Sequence, residues 1–198
     1  VRNHVIISGT GRAGTTFLVQ LLTALGQSTG YKDFSAVAPN CDGGMESDLR
    51  KPDAPYFVKD PWLCDSLGDI LKNGDVVIDH ALVPVRDLYS AAESRRDVSR
   101  RTGPDVYAAF GPVVPGGCWP TDRQEEQESV LARKFYALLE ALAAHDIPLT
   151  LLQFPRLAVD SDYLFRKLSF CLPKVGYDAF VRAFRTTSRP DKIHSFPH

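Results

Sequence analysis

A chain of 198 residues, 44% apolar and 24% charged, has the make-up of an ordinary globular domain and is long enough to bury one sizeable core. A formal charge of −1 argues against a broad nucleic-acid or membrane-surface footprint, so any basic site has to be local. No apolar run approaches the roughly 18 residues of a membrane span, and the sequence opens on a strand-like run rather than a leader, so a cytoplasmic protein with no membrane span and no nucleic-acid partner is expected.

Taken in chain order, short β-rich apolar runs alternate with helical patterns, which predicts βαβ units on a parallel sheet. A first strand is expected over Asn3–Ser8 and a first helix from Gly14 to Leu25, stopped by Gly26. Residues 27–55 read as irregular, with a short helix near Met45–Arg50, and a connection of that length suits an acceptor site or a cover over a ligand. Tyr56–Lys59 reads as a strand, and Pro61 suits the first turn of a helix from Trp62 to Lys72. A third strand lies within Val76–Val85 and a helix follows over Asp87–Arg100. Residues 102–120 are rich in Gly and Pro and read as a loop or lid. Thr121 and Gln124 form a capping box for the longest helix, ending near His145, with Val130, Phe135, Leu138, Leu139 and Leu142 as its buried stripe. A strand over Pro148–Phe154 and helices over Asp160–Cys171 and Tyr177–Arg185 close the chain. Cys41, Cys64, Cys118 and Cys171 are widely separated and form no C-x-x-C pair, which points to free thiols and to neither a zinc site nor a disulfide framework.

The most informative segment is Ser8-Gly9-Thr10-Gly11-Arg12-Ala13-Gly14-Thr15-Thr16, set between a strand and a helix. Gly9 to Gly14 has the spacing of a Walker loop, G-x-x-x-x-G-K-[ST], but Thr15 stands in the lysine slot and Thr16 keeps the hydroxyl. The nearest cation is Arg12, inside the loop. Glycines that admit a close backbone approach, unpaired N–H groups at a helix start and the positive end of its dipole all favour an anion. A lysine normally serves the β/γ-phosphates together with magnesium. A 5'-phosphate capped by a sulfuryl group carries less charge at the transferred centre and asks for less.

G-x-x-R-[SGA]-G-T-T-[FW]-L after an apolar strand resembles the sulfotransferases that use 3'-phosphoadenosine 5'-phosphosulfate. The resemblance implies a three-layer α/β fold of P-loop type, a parallel sheet flanked by helices, with residues 1–198 as a single domain. It implies that Gly11, Arg12, Ala13, Gly14, Thr15 and Thr16 cradle the 5'-phosphosulfate. A second mark is an apolar strand ending in R-[DN] with a serine eight positions after the arginine, here Arg86 and Ser94, whose counterparts in the family hold the 3'-phosphate. A guanidinium fork matches phosphate geometry and a hydroxyl adds a directional donor. Ser90, one turn earlier on the same helix face, is the alternative, and Leu88 stands where the family commonly has proline.

Tyr56-Phe57-Val58-Lys59-Asp60-Pro61 is similar to the family's second-strand ending, V-K-[DST]-P or K-[ST]-H. Lys59 is present, but Pro61 occupies the position of the histidine that serves some members as base. Asp60 is the first candidate base and Glu46 the second, while Asp60 equally suits an N-cap for the next helix. The scheme is in-line attack by a hydroxyl or amine on the donor sulfur, with Arg12 and Lys59 stabilising charge, Asp60 or Glu46 taking the proton, no metal, and adenosine 3',5'-bisphosphate as product. Acceptors left open are a small molecule, a carbohydrate or a secondary metabolite, and the oligomeric state is not legible.

Other readings remain beside it. Val76–Asp79 passes for a Walker B strand of a small-molecule kinase, with Asp79 and Thr16 on magnesium, and a non-catalytic nucleotide-binding module is the third. His80 reads as a core histidine. Arg95, Arg96, Arg100 and Arg101 read as a solvated helix face. The family's late G-x-x-G-x-x-[KR] loop is absent, and Arg182, Arg185, Arg189 and Lys192 are the late cations that could serve a 3'-phosphate instead.

Overall fold

The computed structural model describes residues 1–38, 41–101, 116–119, 121 and 123–196. In chain order these form β1 (Arg2–Ile7), α1 (Thr15–Ala24), β2 (Val37–Ala38), β3 (Gly43–Gly44), β4 (Phe57–Lys59), α2 (Leu63–Lys72), β5 (Val76–Val85) and α3 (Leu88–Arg101). After them come α4 (Gln127–Ala144), β6 (Leu149–Gln153), α5 (Arg156–Val159), α6 (Ser161–Leu168) and α7 (Tyr177–Thr187). The main sheet runs β4-β1-β5-β6 with every neighbouring pair parallel, and β2 and β3 form a separate antiparallel ladder.

Parallel strands need crossover connections, and the crossover helices cover both faces of the sheet, which is why Val5–Ile7 of β1 and Phe57–Val58 of β4 are apolar on both faces. Val5 and Ile7 of β1 point to one face, where they pack with Leu18 and Leu22 of α1, Leu164 of α6 and Phe180 of α7. Ile6 points to the other, with Val58, Val83, Leu67 of α2 and Leu138 of α4. Truncating a fully buried leucine such as Leu22 to alanine would cost about 2–5 kcal/mol. Among the described residues, no helix is long and apolar enough to cross a membrane.

Four local expectations are corrected. Residues 45–50 form no helix: Met45 has φ 61°, and the Asp48 carboxylate accepts from the Arg50 N–H at 2.9 Å, an Asx turn that competes with helix formation. The same irregular segment holds the β2–β3 ladder, where Gly44 is required because a Cβ there would lie 2.3 Å from the Ala36 carbonyl oxygen. The long helix starts at Gln127 rather than after Thr121, whose hydroxyl accepts from the Arg123 N–H at 3.1 Å and ends in a 3-10 turn over Gln124–Glu126 instead of a capping box. The helix expected over Asp160–Cys171 is α6 followed by a 3-10 turn over Ser169–Cys171, with α5 before it, and Asp160 caps α6 by accepting from the Tyr163 N–H at 2.9 Å. Of the loop expected over 102–120, residues 102–115 and 120 lie outside the described residues.

Candidate functional site

All four main strands run the same way, so their C-terminal ends share one edge, where ligands of open α/β sheets bind. β1 leads into the glycine loop, β4 ends at Lys59, β5 delivers Arg86 and β6 delivers Phe154. Asp79 is elsewhere: Ile7 pairs with Leu82, so Asp79 sits three residues, roughly 10 Å, below the edge. Its carboxylate accepts from Asn3 at 2.7 Å and Tyr56 at 3.0 Å, so it is not placed to share a cation with Thr16. His80 is half-buried on the same strand and bonds the Thr150 hydroxyl at 2.8 Å.

The loop is held in a conformation few residues tolerate. Gly11 (φ 69°) and Gly14 (φ 87°) take left-handed backbone, and a Cβ on Gly11 would lie 2.5 Å from Nη2 of Arg95. Arg12 takes φ 54°, which costs a non-glycine residue on the order of 1–2 kcal/mol, and its side chain is thereby turned into the crevice. Gly14 begins α1 with no side-chain cap, and no acidic residue occupies the first turn. The N–H groups that open a helix have no partner within it, and Thr15 and Thr16 line the cavity at the positive end of the dipole.

Three guanidinium groups converge on this loop. Arg12 donates from Nε to the Ser94 hydroxyl at 3.0 Å and from Nη1 to the Cys41 carbonyl. Arg86 donates to the Arg12 carbonyl at 2.8 Å and lies 4.9 Å over the Phe154 ring. Arg95, only 6% exposed, donates to the Thr10 carbonyl at 2.6 Å and to the Gly117 carbonyl at 2.6 Å. None of the three pairs with a carboxylate among the described residues. Burial lowers the pKa of Arg12, and burial together with the Arg12 charge pushes Arg86 and Arg95 down to about 10. A guanidinium stays protonated regardless, so these shifts register the cost of burying the charge, which nearby carboxylates such as Asp42 offset only in part. Arg95 and Arg96 are thus corrected from a solvated face to buried groups, Arg96 being held by Glu93 and Glu128.

Two cavities meet at the loop. The first is lined by Arg12, Gly14, Thr15, Thr16, Arg86, Ser94 and Phe154, with Arg189, Lys192 and His194 of the C-terminal segment at its rim. The second, about 410 Å³, is lined by Glu46, Lys59, Pro61, Trp62, Cys41 and Trp119. Arg12, Thr15 and Thr16 belong to both. Gly11 lines the second cavity, and Ala13 is fully buried beneath the loop.

Lys59 joins these parts. It is 4% exposed, and its ammonium donates to Thr16 Oγ1 at 2.8 Å, the Gly44 carbonyl at 2.6 Å and Glu46 Oε1 at 2.8 Å. Burial lowers its pKa and Glu46 opposes that shift. Of the two candidate bases only Glu46 faces a cavity. Asp60 lines neither; its carboxylate accepts from the Trp62 N–H at 2.8 Å and shapes the turn before α2. Ser90 lines neither cavity, its backbone N–H donating to the Asp87 carboxylate at 2.8 Å at the start of α3, whereas Ser94 is 2% exposed and reaches the first cavity. Of the late cations, Arg189 and Lys192 reach that rim, pairing with Asp191 and Asp42, while Arg182 lines a groove beside α1.

As site residues, Phe154, Trp62 and Trp119 went unread in the sequence, and Arg95 was read as a wet helix face. Phe154 follows β6 directly, so the strand-end rule alone would have nominated it. Comparison with known proteins gives no further guide: no family model, no curated protein and no solved structure matches this chain.

Proposed function

We propose that this chain is a sulfotransferase of P-loop type that moves a sulfuryl group from 3'-phosphoadenosine 5'-phosphosulfate to a hydroxyl or amine of a small-molecule or carbohydrate acceptor. The observation that carries this reading is the meeting of a crevice richer in cations than in carboxylates and a second cavity at Arg12, Thr15 and Thr16. On this reading the loop N–H groups and Arg12 hold the 5'-phosphosulfate, and Arg86 and Ser94 hold the 3'-phosphate. Phe154, which lines the same cavity, offers an aromatic surface to the adenosine.

An acceptor hydroxyl in the second cavity attacks the sulfur in line. Its proton passes to Glu46 as the new O–S bond forms. The bond from sulfur to the bridging oxygen breaks, and its electron pair stays on the 5'-phosphate as adenosine 3',5'-bisphosphate leaves. Lys59 and Arg12 face the charge that develops on that oxygen and on the sulfuryl group, and preorganised cations in a half-dry site act more strongly than in water. A lone Thr16 hydroxyl, already accepting from Lys59, and the distance of Asp79 from the edge weigh against magnesium-dependent phosphoryl transfer.

Calorimetric titration tests the donor class. Adenosine 3',5'-bisphosphate should bind in the presence of a metal chelator, and ATP with magnesium should bind at least about tenfold more weakly. Binding of ATP–magnesium alone would overturn the reading.

A further inference from the structure

We infer that Arg95 is the positioning residue of the glycine loop: its guanidinium fork turns the Thr10 carbonyl aside and leaves the N–H groups that follow it free for an anion. The inference rests on the anion-binding loop of the sulfuryl-transfer reading above, and it assigns Arg95 to the shape of that loop rather than to contact with the donor.

An anion site built from main chain has to present N–H groups and turn its carbonyls away, because a carbonyl oxygen repels the ligand. Residues 10–12 show that division. The Thr10 carbonyl accepts twice from Arg95, from Nε at 3.2 Å and from Nη2 at 2.6 Å. The Arg12 carbonyl accepts from Arg86 at 2.8 Å, and the Gly11 carbonyl from Thr10 Oγ1 at 3.3 Å. Among the described residues, no main-chain N–H from Thr10 to Gly14 donates to a protein acceptor. The Thr10–Gly11 peptide is trans, so a fork that fixes its carbonyl also fixes its N–H on the opposite side.

Arg95 is itself held from behind. Its Nη1 donates to the Gly117 carbonyl at 2.6 Å, so all three nitrogens of the planar group are engaged and a rotation would break bonds to two segments at once. The Gly117 segment is tied to the same helix one turn further on, where the Cys118 N–H donates to Ser99 Oγ at 2.9 Å. With successive residues α3 therefore grips the loop twice: Ser94 accepts from the Arg12 side chain at 3.0 Å, and Arg95 takes the main chain. Gly11 is the counterpart of this grip. At φ 69° a Cβ there would lie 2.5 Å from Nη2 of Arg95, so the fork reaches Thr10 only because residue 11 has no side chain. A lysine in place of Arg95 keeps a positive charge but has one nitrogen, which cannot hold Thr10 and Gly117 in one plane.

The test is calorimetry with adenosine 3',5'-bisphosphate and with inorganic pyrophosphate, on wild type, Arg95→Lys, Arg95→Gln, Gly11→Ala and the double variant Gly11→Ala/Arg95→Lys, at a temperature where near-ultraviolet circular dichroism shows each protein folded. Arg95→Lys and Arg95→Gln should both weaken both ligands at least about tenfold. Affinity of the folded variants within about twofold of wild type assigns Arg95 to stability alone, and a loss in Arg95→Gln that Arg95→Lys restores assigns it to charge; either result overturns the inference. Gly11→Ala displaces the same fork, so the double variant should bind no more than about threefold more weakly than the poorer single variant, and losses that multiply overturn the inference. Should neither arginine variant fold, Gly11→Ala decides: unchanged affinity overturns the inference, and a loss of about tenfold that Gly26→Ala, at the same φ of 69° with nothing within 4 Å, does not reproduce supports it. Pyrophosphate binding without adenosine 3',5'-bisphosphate binding overturns the donor assignment and leaves Arg95 to be judged on pyrophosphate, whereas binding of neither overturns both.

Discussion

Replacing Lys59 by methionine should separate catalysis from stability at a single buried position. The ammonium is desolvated, and its three bonds, to Thr16, Gly44 and Glu46, all go to groups that line the second cavity. Methionine keeps the buried hydrocarbon length, water in the cavity reaches the acceptors left behind, and the Glu46 side chain is already 36% exposed, so no charge is stranded. Lost charge-assisted bonds and a relieved desolvation penalty then oppose each other, for a net change within about 2 kcal/mol, or roughly 4–8 °C in Tm for a domain of this size. Transfer should suffer far more, because a preorganised donor facing developing charge is worth about 3–4 kcal/mol, a loss of roughly 10²–10³ in rate. The assay follows transfer from sulfur-radiolabelled donor to a panel of hydroxyl and amine acceptors, with the melting curve and the affinity for adenosine 3',5'-bisphosphate recorded on the same protein. A folded variant with undiminished transfer refutes the role given to Lys59, and a variant that loses more than about 5 kcal/mol of stability shows a structural pillar instead.

The remaining expectations concern the frame around that group. Asp60→Asn keeps an acceptor for the Trp62 N–H and removes a carboxyl whose pKa is raised above 3.8 by burial. The folded state therefore binds that proton more tightly than the unfolded chain, so wild-type stability falls as pH rises from 3.8 through the raised value. Urea melts should show this slope in wild type and lose it in Asp60→Asn, which at neutral pH should be at least as stable; a less stable variant contradicts the burial cost. Gly14→Ala sets a Cβ 2.9 Å from Leu157 Cδ1 and 3.2 Å from the Phe154 ring at φ 87°, and should lower both Tm and nucleotide affinity. Gly176→Ala, with φ −72° and nothing within 4 Å, should change neither, and equal behaviour of the pair in thermal melts would refute the strain attributed to the loop.

Much of the frame was legible because its signals are local. Apolar runs mark β1, β4 and β5, and a glycine loop between strand and helix fixes where the edge of the sheet must carry its ligand. What the sequence hid was set by contacts far apart in the chain. Arg95 and Arg96 lie in a run of four arginines that reads as a wet face, yet Arg95 is buried by carbonyls from Thr10 and Gly117 and Arg96 by Glu128. Asp60, at a strand's C-terminal end, and Glu46, offered by the family resemblance, both stood as candidate bases. Only the turn at Trp62, which occupies the Asp60 carboxylate, and the fold of residues 45–48, which brings Glu46 onto Lys59, separate them. The pairing of Trp62 with Trp119 spans 57 positions and depends on Gln127, a residue whose helix the sequence started six positions too early.

Two anion pockets at the ends of one adenosine are tested most directly by titrating adenosine 3',5'-bisphosphate and adenosine 5'-monophosphate into wild type and Arg86→Ala. In wild type the 3'-phosphate should strengthen binding roughly 10–100-fold, the worth of charge-assisted bonds to Arg86 and Ser94, and in Arg86→Ala most of that advantage should vanish while the monophosphate binds as before. Equal affinity of wild type for the two nucleotides, or an advantage that survives without the guanidinium, would contradict the assignment of the crevice to a 3'-phosphorylated donor.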